Sequence, residues 1–148
     1  MTQNEKELLL KDLSCRLPYG VKAYVRYWSK LDWKYYEGVY TVKSTFPSLN
    51  EVHVQSKTGS VDVLLSHSDY VIKPYLFPIS SMTEEQIVEF DKIAELDIEY
   101  SITQIKNDVL IWTSGLNRFN WLLKNHFDVY GLIEQDLAID ATNLNIYK

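Results

Sequence analysis

The chain has 148 residues, 46% hydrophobic and 24% charged, which excludes a disordered segment and suits a domain able to bury a core without metals or disulfides. A single cysteine, Cys15, excludes an internal disulfide, and no apolar run approaches the roughly 20 residues that a membrane-spanning helix needs. The net charge of −5 is uneven. Residues 1–80 carry ten Lys/Arg against eight Asp/Glu and residues 81–148 carry five against twelve, so the second half is poorly suited to contacting phosphates.

The N-terminal stretch is charged and lacks an apolar region followed by a small-residue cleavage site, so the expectation is an untargeted cytoplasmic chain. Its leucines at 9, 10, 13 and 17 predict an amphipathic helix, with Asn4 and Glu7 as the capping box and Pro18-Tyr19-Gly20 as the stop. Four strands follow by alternation: Val21–Trp28, Tyr35–Lys43, Glu51–Gln55 and Ser60–Leu65, the last two joined by a turn at Ser56–Gly59. Short strands at this spacing predict a small, curled antiparallel sheet, with an SH3-like barrel as its closed form.

Pro74 and Pro78 then make the joint over Tyr70–Gln86 at best an edge strand running into extended chain. Thr83 and Gln86 form a second capping box, opening a helix to about Leu96 whose buried face is Ile87, Phe90, Ile93 and Ala94. Ile98–Ile105 and Val109–Thr113 read as a second hairpin turned at Lys106–Asp108, and about Leu116–Phe127 as a final helix. The remaining tail has no period and is expected to dock as irregular chain. The expected fold is α+β in one domain over 1–148: a β-rich half over about 18–73, a helical and acidic half over about 80–148, and helices flanking the sheet.

Three segments, ELLLKDLSCRLPYGVKAYV, IKPYLFPISSMTEEQ and NWLLKNHFDVYGLIEQDLAIDATNLNIY, resemble a family of small, uncharacterised proteins of Bacteroides genomes and their phages or prophages. The resemblance implies a cytoplasmic, phage-associated protein and carries no activity with it. It is weakest from Trp28 to about Ser68, so a function placed there belongs to this chain rather than to the family.

Few residues have a pattern that carries chemistry. His53 falls on the polar face of a strand and reads as solvated. His67 and Asp69, within a Ser-His-Ser-Asp run, could form a hydrolase-like acid–base pair, but the run is also ordinary turn composition. His126 falls near the end of the last helix, where terminal carbonyls would favour its protonated form, with Asp128 near enough in sequence to assist. The three His and Cys15 lack metal-ligand spacing and the five glycines form no phosphate loop, so neither metal nor cofactor is expected.

Arg16–Lys43 is the strongest surface candidate, with Arg16, Lys22, Arg26, Lys30, Lys34 and Lys43 interleaved with tyrosines and tryptophans. The reading is a non-enzymatic module that binds a protein or peptide through Tyr24, Arg26, Trp28, Trp33, Lys34 and Tyr36. Weak single-stranded nucleic-acid binding on the same face is the alternative, and the plainer possibility is that half of these rings are core. A homodimer through an exposed strand edge is open, and no membrane partner is expected.

Overall fold

Thr2, not Asn4, caps the first helix. In the computed structural model, which describes residues 1–93 and 113–148, the Thr2 side-chain oxygen accepts from the Glu5 N–H (3.3 Å). The Glu5 carboxylate in turn accepts from the Thr2 N–H (2.6 Å). Thr2-x-x-Glu5 and Asn4-x-x-Glu7 are equivalent local patterns, and the chain uses the earlier one. Helix α1 thus spans Gln3–Arg16 and buries Leu9, Leu10 and Leu13. A 3-10 turn at Leu17–Tyr19 ends it, and Gly20 takes a left-handed φ of 66° that a side chain would resist.

Strands β1 (Lys22–Ser29), β2 (Lys34–Phe46), β3 (Glu51–Gln55), β4 (Ser60–Leu64), β5 (Tyr70–Leu76) and β6 (Ile139–Asp140) form one sheet in the order β4-β3-β2-β1-β5-β6. Every pairing is antiparallel except β5 with β6. A register shift between Val42 and Ser44 bulges β2, which lets the strand run past its expected end to Phe46. The short link from β4 to β5 joins strands at opposite ends of a five-strand run, and β4 and β5 also approach each other, so the sheet curls.

The Tyr70–Leu76 segment is a full strand along β1 rather than a marginal one. Pro74 is tolerated because β6 begins only opposite Tyr75, leaving the other edge of β5 free at the proline. Beyond it, Phe77 donates to the His126 carbonyl and accepts from the Asp128 N–H, so the joint is anchored to the C-terminal region.

The concave side of the sheet holds the core. Val21, Ala23, Val25, Val42, Val52, Val54, Val63 and Ile72 meet α1 from one side, and Leu76 and Leu132 belong to the same cluster. Each of these valines, leucines and isoleucines contributes about 1.5–3 kcal/mol when removed from water. Helix α2 covers 84–93 and opens with the expected Thr83–Gln86 box. Of its expected buried face, Ile87 is instead 46% exposed, while Phe90 and Ile93 are half-buried, the Phe90 ring lying 5.4 Å from that of Trp121. Ala94 and the second hairpin, Ile98–Ile105 with Val109–Thr113 and its Lys106–Asp108 turn, lie outside the described residues, apart from Thr113.

Thr113 is helical, opening α3 (Thr113–Lys124), which ends earlier than expected; Phe127 lies past it, bridged to Phe77. The tail docks as irregular chain apart from the two residues of β6. The fold is α+β.

One buried charge links these parts. Arg16, expected on a basic surface, is fully buried. Its guanidinium forks onto both Asp12 carboxylate oxygens (2.8 Å each) and also donates to the carbonyls of Leu123 (3.4 Å) and Phe127 (2.7 Å). Burial pushes the Asp12 carboxyl above its ordinary value, and the Arg16 fork opposes that shift. Removing one partner strands the other charge in the core. Asp12→Ala or Arg16→Ala should therefore each cost about 3–5 kcal/mol in urea unfolding, and the double change Asp12→Leu/Arg16→Met distinctly less than either. Single-variant losses below ~1 kcal/mol would contradict this role.

Candidate functional site

Strands β1 and β2 form a hairpin whose alternation sends successive side chains to opposite faces. On the face away from the core, Tyr24 lies opposite Val39, Arg26 opposite Glu37 and Trp28 opposite Tyr35. The Tyr24 hydroxyl donates to Glu37 (2.5 Å), and this bond is the main cause of the raised Tyr24 pKa. Arg26 stands 5.4 Å over the Tyr35 ring, and Trp28 meets that ring edge-on at 4.8 Å.

Tyr36 and Lys34 belong to the other face. Tyr36 pairs with Tyr27 and stacks on it at 5.6 Å, and the Lys34 ammonium lies 4.7 Å above the Tyr36 ring. Trp33 is on neither face: it sits in the turn at φ 51°, 78% exposed. The six predicted residues are thus divided between two faces and a tip. The basic segment also thins, because Arg16 is buried and Lys22 is committed to the Ile146 carbonyl.

Trp33 of this turn was among the predicted residues, but Leu31 was missed. Leu31 is 93% exposed at the tip of the turn. Between Leu31 and Trp33, the Asp32 carboxylate accepts from the Tyr36 hydroxyl (2.8 Å) and the Ser29 hydroxyl (3.1 Å), bonds that hold its pKa low. Two large apolar residues in a hairpin turn, where polar residues are usual, were the available signal.

Beneath the hairpin end lies a cleft of about 830 Å³, bounded by Tyr27–Asp32 and Tyr36 on one side and by β4 and the β4–β5 turn on the other. His67 and Asp69 both reach its wall, but no hydrogen bond joins them. His67 instead meets Tyr70 edge-on at 6.4 Å. His53, half-exposed as expected, bonds Asp62 across β3 and β4 (2.5 Å). Among the described residues, no three His, Cys, Asp or Glu side chains gather to hold a metal, and no helix is long and apolar enough to cross a membrane.

His126 reverses its expectation. It lies just past α3 at φ 60°, nearly buried, with its ring stacked 3.8 Å from that of Tyr147. Burial, then the charges of Arg16 and Lys22, lower its pKa to about 4, so the neutral form is favoured. Asp128 does not assist: its carboxylate accepts from the Leu132 and Ile133 N–H groups (2.9 Å each). Tyr147 donates to the Tyr75 carbonyl (2.7 Å), and burial pushes its hydroxyl up to about 12. This cluster fastens the C-terminal tail.

Compared with known protein families, curated proteins and solved structures, the chain matches none.

Because the folded His126 pKa lies below the ordinary 6.5, protons bind the unfolded chain better. Stability should be whole above about pH 6.5 and fall by up to roughly 3 kcal/mol on acidification to about pH 4. His126→Asn, which tolerates the left-handed backbone, should flatten that slope in urea melts across the range. An unchanged slope would assign the acid sensitivity to other groups.

Proposed function

We propose that this chain is a peptide-interaction module that engages its partner through the β1–β2 hairpin. Leu31 and Trp33 are the leading anchors, with Trp28 and Tyr35 behind them. The observation that carries the reading is the pair of large apolar side chains, 93% and 78% exposed, on a turn held in place by Asp32. Rigid exposed rings lose little entropy on binding and form the usual anchors of interfaces. Trp33 also takes a left-handed backbone that a bulky residue adopts at a cost of about 1–2 kcal/mol, a position that Asn or Gly would fill with less strain.

The same arrangement argues against single-stranded nucleic acid. Arg26 and Lys34 already lie over tyrosine rings, Arg16 and Lys22 are withdrawn, and carboxylates line the adjoining cleft. His67 and Asp69, with no hydrogen bond between them, lend a hydrolase no support. An SH3-like description of the curled sheet, a cytoplasmic setting and the phage association carried by the resemblance belong to this proposal.

Selection of random peptides displayed on phage against the immobilised protein tests the reading. An enriched consensus should emerge, and a synthetic peptide bearing it should bind at least tenfold more weakly to Leu31→Ser and Trp33→Asn, a loss of about 1.4 kcal/mol or more. Trp33→Asn also relieves the backbone, so its melting temperature should not fall. No enrichment, or equal affinity for the variants, would overturn the hairpin as the contact surface.

A further inference from the structure

The cleft beneath the hairpin has its own chemistry. Its lining includes Tyr27, Tyr36 and Tyr70, and the π face of a tyrosine ring attracts cations. The chain itself supplies an example, since the Lys34 ammonium stands 4.7 Å over the Tyr36 ring. Four acidic residues, Asp32, Glu51, Asp62 and Asp69, line the cleft against Lys30, with the Lys34 ammonium nearby over Tyr36. Two of the four are committed, Asp32 to Tyr36 and Ser29 and Asp62 to His53. No hydrogen bond or ion pair from the described residues reaches the carboxylates of Glu51 and Asp69. These exposed and half-buried carboxylates give the cleft a negative potential that attracts a cation entering it.

Leu31 and Asp32 belong both to the hairpin tip and to the cleft wall. A chain anchored on Leu31 and Trp33 therefore passes the mouth of the cleft, whose volume of about 830 Å³ is ample for one long side chain. We propose that the cleft receives a lysine or arginine side chain of the bound peptide, its stem against the tyrosines and its charge between Glu51 and Asp69. The inference rests on the peptide-module reading and names the chemistry of the partner: a basic segment beside an apolar anchor. An acidic ligand would meet like charge, and a neutral apolar one would leave both carboxylates without a partner.

Titration of the full chain with N-acetyl-lysine methylamide, N-acetyl-arginine methylamide and neutral N-acetyl-norleucine methylamide, followed by NMR, tests this directly. The two cations should give saturable shifts at the Tyr27, Tyr36 and Tyr70 rings and the Asp69 amide, with norleucine at least tenfold weaker. Glu51→Gln/Asp69→Asn should lower the affinity for the cations at least tenfold while leaving the unfolding curve in place. Equal binding of norleucine, absence of saturable cation shifts, or an unaffected double variant would overturn the proposal. The two readings fail separately. Selected peptides that need Trp33 but lack Lys and Arg, and ignore the double variant, would sink the cation site and leave the module intact. Cation binding in the cleft without any enriched peptide would remove the hairpin partner and leave the cation site standing.

Discussion

The guanidinium of Arg16 holds together parts of the chain more than a hundred residues apart. It is fully buried, it forks onto Asp12 one helical turn away, and it also donates to the carbonyls of Leu123 and Phe127. Those acceptors lie at and beyond the C-terminal end of α3, where carbonyls lack helical partners and a cation is favoured. A charge so far from water is tolerable only when it is well hydrogen-bonded, and here the carboxylate and the two carbonyls accept four hydrogen bonds from it. The N-terminal helix, the last helix and the segment that leads into the tail are thereby committed to one arrangement.

That commitment sorts the molecule into a tied end and a free end. At the tied end, Phe77 is laced to residues 126 and 128, Asp128 bonds the loop that follows it, and Tyr147 lies on His126. At the other end the β1–β2 hairpin runs past the core and presents Leu31, Trp33 and Tyr35 to solvent. The proposed recognition surface needs anchors that do not collapse onto their own chain. Here Asp32 prevents collapse locally by fixing the turn, while the remote arginine stabilises the scaffold that carries it.

Local structure was largely legible. The strand periods located β1, β3 and β4 closely, the Ser56–Gly59 turn stands where its composition places it, and the Thr83–Gln86 box opens α2. The errors share a physical origin, since each concerns a choice between locally equivalent options. Thr2 and Asn4 offer the same capping pattern, and Tyr70–Leu76 tolerates its proline because a neighbouring strand happens to be short. His126 carries the same imidazole whether its site is wet or dry, and burial among cations decides its protonation.

The candidate site shows the same boundary. Sequence alone determined that β1 and β2 alternate, that aromatic and basic residues concentrate between Arg16 and Lys43, and that the charge is split between the halves, because these follow from residue order and composition. It could not determine which of those rings share a face. Tyr24 and Tyr36 come from adjacent strands, and only the pairing register, Tyr27 opposite Tyr36 and Tyr24 opposite Val39, puts them on opposite sides. Tertiary structure also decided that Arg16 is core and that four carboxylates and three tyrosines meet in one cleft. Burial and convergence depend on contacts between residues distant in the chain, which no local period records.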